Sequence, residues 1–226
     1  MLKAVIFDMD GVLVDSEPVH FRSNQITLKE LFDIDIDYEY YKHFIGSTVR
    51  AMWGEIHDHY GITSMSGEEL MAYNDEVLKK LLEQEDYPEV PKAPAAVRRL
   101  KEAGYALAVA SSSGREKIRR NIRNLGIEDC FSVIVSGMEL KNPKPAPDIF
   151  LKAAEMLGVQ PKECVVIEDS ANGVGAAVAA DMACLGFLNP NSGDQDLSKA
   201  DYLFEDFSAI EEDFVRMVHD HHTKEP

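Results

Sequence analysis

Apolar positions along the chain follow two rhythms. Near the start, Ala4-Val5-Ile6-Phe7 is an unbroken apolar run that stops at Asp8. A short run without alternation predicts a strand buried on both faces of a parallel sheet. From about 17 to 85 the rhythm is helical: His20, Ile26, Leu28, Leu31 and Phe32 recur at three-to-four spacing. Further helical stretches follow at 38–45, 48–60 and 66–84, separated by Gly46, Gly61 and Ser64-Met65-Ser66-Gly67. Ser66 with Glu69 three residues later reads as a capping box. After Asp86-Tyr87-Pro88, strands predicted at 106–110, 133–135, 164–167, 183–188 and 202–204 alternate with helices predicted at 93–103, 115–125, 148–157 and 173–180. That alternation predicts an α/β fold with a parallel sheet and right-handed crossovers. The chain divides into a core, 1–15 and 87–226, and an all-helical insert of four helices, 16–86.

Three of the predicted strands run into polar groups at their carboxyl ends: Asp8 and Asp10, Ser111 and Ser112, Glu168 and Asp169. In an open parallel sheet these ends meet at one edge, where ligands bind. A lone Asp-x-Asp-Gly reads equally well as an ordinary capped turn; the coincidence of three strand ends favours a site. Crowded carboxylates need a shared proton or a cation. Hard carboxylate oxygens suit Mg²⁺, which takes one or two carboxylates together with phosphate oxygens. Ser111-Ser112-Ser113-Gly114 precedes a helix, so its backbone N–H groups can hold a phosphate, or Ser111 is a plain cap. Between Asn142 and Pro147 the prolines stiffen a loop that carries Lys144, with Lys141 a second candidate for the same ammonium. A carboxylate can attack phosphorus while its neighbour moves protons. The spacing of Asp8 and Asp10 suits that division of labour without assigning the two roles.

Composition narrows the setting. Apolar residues make up 45% of 226, enough for a sizeable core. The net charge of −17, from 40 acids against 23 bases, disfavours nucleic acid and anionic membrane surfaces. Three scattered cysteines, Cys130, Cys164 and Cys184, form no disulfide framework and fit a reducing compartment. Neither a signal-peptide layout nor an apolar spanning segment is present, so a cytoplasmic protein, simplest as a monomer, is expected.

The set DMDGVLVDSEP (8–18), VASSSG (109–114), KPAPDIF (144–150) and VIEDSANG (166–173) resembles the haloacid dehalogenase superfamily. More narrowly it resembles the β-phosphoglucomutase-like phosphatases with an inserted helical cap. The resemblance spans essentially the whole chain and implies a Rossmann-like core with a cap that closes over the site, hinged near 14–17 and 85–90. It implies Asp8 as nucleophile and Mg²⁺ ligand. It implies Asp10 as general acid/base, with its carbonyl on the metal. Ser111 and Lys144 would hold the phosphoryl group, and Asp169 and Glu168 would be metal-site carboxylates, Glu168 directly or through water. By this likeness the substrate would be a small phosphorylated metabolite, a sugar phosphate, hydrolysed through an aspartyl phosphate.

Mutase and phosphatase differ in the cap. His20 matches a mutase histidine, or is a polar helix position near the hinge. Arg50 falls one residue later than the mutase arginine and is a candidate for the distal end of an anionic substrate. The mutase cap lysine is replaced here by Tyr73 ahead of Asn74-Asp75, which favours hydrolysis. A catalytically silent phosphate-binding protein is the third reading. Trp53 reads as cap core. The His57-Asp58-His59 and His219-Asp220-His221-His222 runs read as a solvated helix end and a charged tail rather than metal sites, and Glu211-Glu212-Asp213 as an exposed helix face.

Overall fold

The computed structural model describes residues 1–45 and 47–224; Gly46, marked above as a helix break, lies outside the described residues. Two compact units are present. One comprises Met1–Asp15, Pro88–Pro190 and Gln195–Pro226, the other Ser16–Tyr87 and Asn191–Asp194. The chain therefore leaves the first unit twice, once for the long helical insert and once for the short 191–194 segment.

The first unit is built on a six-stranded parallel sheet, ordered β3-β2-β1-β4-β5-β6. Its strands are β1 Ala4–Phe7, β2 Ala106–Ser111, β3 Val133–Ser136, β4 Cys164–Glu168, β5 Ala183–Phe187 and β6 Tyr202–Phe204. All four β1 residues are fully buried. Ala4 and Ile6 join a cluster with Phe150, Ala153 and Val174, whereas Phe7 meets the edge of Phe131 at 5.9 Å. Both faces of the strand are thus covered, as the unbroken apolar run requires. The strand order is that of a doubly wound sheet, with helices α5 Ala93–Glu102, α6 Arg115–Asn124, α7 Asp148–Leu157, α8 Ala171–Ala179 and α9 Glu212–His222.

The last helix corrects one expectation. His219 is 1% exposed, and its ring sits between the Lys162 carbonyl and the Asp220 carboxylate. His222 Nδ1 lies 2.8 Å from Asp201. Val215, Val218 and His219 form the buried stripe of α9, packed toward β4 and β5, so the histidines belong to an ordered helix rather than a solvated tail.

The second unit holds α1 Glu17–Phe32, α2 Tyr38–Tyr41, α3 Val49–Tyr60 and α4 Gly67–Gln84. Its core gathers Leu28, Tyr41, Phe44, Trp53, Ile56 and Leu70. Trp53 is fully buried there, and Ser66 and Glu69 close a capping box at the start of α4. The buried face of α1 differs from the apolar reading. It carries Val19, Ser23, Asn24, Thr27 and Leu28, while Ile26 is half-buried. The reason is a polar contact with α4, where Thr27 Oγ1 donates to Asn74 Oδ1 at 3.1 Å. Among the described residues no helix is long and apolar enough to cross a membrane.

Candidate active site

The carboxyl ends of β1, β2 and β4 converge in the first unit. Lys144 Nζ donates to Asp8 Oδ1 at 2.6 Å, to Glu168 Oε1 at 2.6 Å and to the Ala110 carbonyl at 3.3 Å. The three charged side chains are 7%, 9% and 1% exposed, so this is a buried cluster with two acids on one ammonium. The Lys144 ammonium also lies 4.9 Å from the Phe150 ring centre. Burial pushes the Asp8 carboxyl up, Lys144 pulls it down, and Glu168 and Asp10 push it up again; the balance lies well above the usual carboxylate range. For Lys144, burial acts downward, but Asp8 and Glu168 outweigh it and hold the group as an ammonium.

Glu168 has both oxygens engaged. Oε1 takes Lys144, and Oε2 accepts from Asp169 N, Ser170 N and Ser170 Oγ at 2.8, 2.8 and 2.9 Å. This carboxylate ties β4 to the start of α8. Gly173 makes room for it, since a Cβ there would stand 1.8 Å from Oε1. Gly11 does the same for Asp169. It sits at φ +82°, and a Cβ would fall 1.9 Å from Asp169 Oδ2. The Asp169 carboxylate therefore lies directly against the turn after β1. Asn189 Nδ2 donates to the Gly11 carbonyl at 2.8 Å and fixes that turn from the other side.

Asp10 engages different partners. Its Oδ2 accepts from Ser113 Oγ at 2.8 Å and from Ser111 Oγ at 3.4 Å, and its Oδ1 is 3.0 Å from Lys117 Nζ. Asp8, Asp10, Ser111, Lys144, Glu168 and Asp169 are thus brought into one neighbourhood. Ser112 is exposed beside it, and Lys141 is exposed and takes no part in the cluster. His20 and Arg50 belong to the helical unit. His20 Nε2 is 3.5 Å from Tyr87 Oη. Arg50 is 72% exposed and pairs with Glu68 at 3.0 Å. Sequence reasoning missed Lys117 and Asn189, and for Ser113 it named the turn but not the hydroxyl's bond to Asp10. For Lys117 a signal existed: a lysine in the first turn of α6 opposes the helix dipole unless an acid faces it.

Four carboxylates, Asp8, Asp10, Glu168 and Asp169, stand against two ammonium groups, Lys117 and Lys144, leaving two formal negative charges. Among the described residues no group of three or more His, Cys, Asp or Glu side chains forms a ready-made metal cage. Mg²⁺ does not need one, because it binds through one or two carboxylates and completes its shell with water and phosphate oxygens. Asp8 and Asp169, raised charge density and hard oxygens together, fit such a cation.

The model of haloacid dehalogenase-like hydrolases matches residues 2–181. The chain belongs to this family. It is 36% identical over 189 residues to Protein SUPPRESSOR OF QUENCHING 1, chloroplastic, of Arabidopsis thaliana, covering 81% of the chain but only 18% of that larger protein. It is 32% identical over 179 residues to a phosphorylated carbohydrates phosphatase of Thermotoga maritima, with 79% and 82% covered. It is 33% identical over 194 residues to a β-phosphoglucomutase of Bacillus subtilis, with 82% and 83% covered. The β-phosphoglucomutase structure from Clostridium difficile superposes with a TM-score of 0.76 at 24% identity, covering 100% of both chains, and shares the fold. Within the haloacid dehalogenase-like hydrolases the chain is of the β-phosphoglucomutase-like type.

Proposed function

We propose that the protein is a Mg²⁺-dependent phosphatase that hydrolyses a small phosphorylated sugar or related metabolite through an aspartyl phosphate on Asp8. The observation that carries this reading is the buried Asp8–Lys144–Glu168 cluster with the Asp10 carboxylate beside it. The Thermotoga relative, named for phosphorylated carbohydrates, supports the substrate class.

In the first step an Asp8 oxygen bonds to phosphorus, the ester P–O bond breaks, and the leaving oxygen takes a proton from Asp10. In the second, water attacks the same phosphorus and gives its proton to Asp10. The Asp8–phosphorus bond breaks and inorganic phosphate leaves. Lys144 and the Ser111–Ser112 turn hold the phosphoryl oxygens, and Glu168 holds Lys144 in place. Asp8, Asp169 and the Asp10 carbonyl would hold Mg²⁺, which when bound neutralises charge on the phosphoryl oxygens. The helical unit acts as the cap, with His20 its candidate for substrate contact. Arg50 would first have to leave Glu68.

Acid quenching during turnover, followed by peptide mass analysis, tests the mechanism. A phosphoryl adduct on the Asp8 peptide is expected, with activity abolished in Asp8→Asn. An active Asp8→Asn variant would sink it.

The Bacillus relative gives a second reading, sugar phosphate isomerisation. Against it, the cap position of the mutase lysine is Tyr73, whose hydroxyl donates to Glu30 at 2.9 Å. A coupled assay converting β-glucose 1-phosphate to glucose 6-phosphate, with a bisphosphate activator, separates the two. Hydrolysis without isomerisation is expected.

A further inference from the structure

Helix α6 is docked on the turn that carries Asp8 and Asp10. Ile118, Asn121 and Ile122 are its buried positions, and Asn121 Nδ2 donates to the Met9 sulfur at 3.4 Å. Met9 stands between the two aspartates and is fully buried. Its carbonyl accepts from Leu13 N at 2.8 Å and from Val14 N at 3.1 Å, so the backbone of the turn is fixed. What that leaves open at Asp10 is the side-chain rotamer, and the same helix sets it. Ser113 Oγ, just ahead of α6, donates to Oδ2, and Lys117 Nζ donates to Oδ1. Lys117 and Asn121 stand at i and i+4, so one face of the helix holds both Met9 and Asp10.

Stability does not account for Lys117. It stands in the first turn of α6, where a cation opposes the helix dipole. Its side chain and that of Asp10 are 35% and 30% exposed, and ion pairs so open to water add little. The chemistry of the donors accounts for it better. An ammonium has only hydrogens to offer, whereas a serine hydroxyl donates or accepts. When Asp10 carries a proton, Oδ1 keeps Lys117 only as an acceptor, so the proton falls on Oδ2. That oxygen faces Ser113 and, at 3.4 Å, Ser111, whose turn the phosphatase reading puts on the phosphoryl group.

We infer that Lys117 is a positioning residue, holding Asp10 Oδ1 so that Oδ2 is the oxygen that exchanges protons with the reacting groups. This rests on the phosphatase reading above and adds to it a residue that acts through Asp10. In the first half-reaction the Oδ2–H bond breaks, and the ester oxygen leaves phosphorus with the proton. In the second, a water O–H bond breaks as its oxygen joins phosphorus, and the Oδ2–H bond forms again.

The test compares p-nitrophenyl, phenyl and benzyl phosphate in Lys117→Met with Mg²⁺ saturating. The three esters are alike in size and carry one phosphoryl group each, but their leaving groups need a proton increasingly in that order. The ratio of kcat/KM for two esters in one variant does not depend on how much of it is folded. Lys117→Met is expected to lose about tenfold or more in kcat/KM on benzyl phosphate and about threefold or less on p-nitrophenyl phosphate. Equal losses on all three esters would mark Lys117 as structural or as a direct phosphate contact, and would overturn the inference; so would wild-type values on all three. Asp10→Asn tests the reading underneath, and the same order with larger losses is expected. A graded loss in Asp10→Asn beside a flat response in Lys117→Met would overturn the Lys117 assignment alone. A flat response in Asp10→Asn would remove Asp10 as the acid, and this assignment with it.

Discussion

Lys144 holds two buried carboxylates, so its removal leaves Asp8 and Glu168 facing each other without a cation. Lys144→Met is expected to cost about 3 kcal/mol of stability, in the range for breaking a buried pair on one side. It should also lower kcat by about 10²–10³, the loss seen when one oxyanion donor is removed. Because the folded protein holds Lys144 above its ordinary value, this stabilisation is full below about pH 10.4 and fades as the pH rises through the higher folded value. Guanidinium midpoints at pH 8 and above pH 10 check both magnitude and sign. Gly11→Ala acts differently. Its Cβ would displace the Asp169 carboxylate, and a displacement of about 1 Å at such a site costs about 10² in rate. A variant with wild-type kcat would show that Asp169 has no fixed role. Residues at strand ends were legible in the sequence because burial and topology dictate where they go. Lys117 is legible only in part: its place in the first turn of α6 asks for an acid, but Asp10 lies 107 positions away and only the fold brings the two together.

At the level of single elements, legibility followed the physics of each. Strands β1, β2 and β4 announce themselves because both faces are buried, which leaves no polar position to confuse the pattern. The capping box of α4 is a local device and was equally plain. Helix α9 was obscured because one of its buried positions is a histidine, satisfied by a carbonyl from the Pro161–Glu163 turn that the local sequence does not name. The buried face of α1 departs from an apolar stripe for the same reason, since Ser23, Asn24 and Thr27 stand on it. Strand β4 also supports a pH prediction. Burial pushes the Cys164 thiol up to about 12, and Cys184 on β5 moves the same way. A thiol held protonated in the fold, but free to ionise near the ordinary thiol value of 9.0 when unfolded, stabilises fully below that value. The contribution fades as the pH climbs toward the folded value. Wild type should therefore lose more stability between pH 8 and 11 than Cys164→Val, measured by urea denaturation. Parallel curves for the two proteins would contradict the assignment.

Taken whole, the chain has a division that the text of the sequence conveys only in part. The long helical insert is plain from its change of rhythm, but residues 191–194 also belong to the helical unit, and nothing in their polar composition marks that second excursion. Charge, by contrast, is a whole-molecule property that the sequence states outright. At −17 the protein repels the anionic ester that we propose as its substrate. The cations of the site do not reverse this, because Lys144 and Lys117 are already matched by Asp8, Glu168 and Asp10. Screening should therefore help rather than hinder. Raising the salt from about 10 mM to 150 mM shortens the Debye length from roughly 30 Å to 8 Å, which removes most of the long-range repulsion. With Mg²⁺ held saturating, kcat/KM for a phosphate monoester is expected to rise a few-fold over that range, mainly through KM. A steady fall would mean that local positive potential at the site outweighs the field of the whole molecule, and that substrate capture is steered instead by the bound cation.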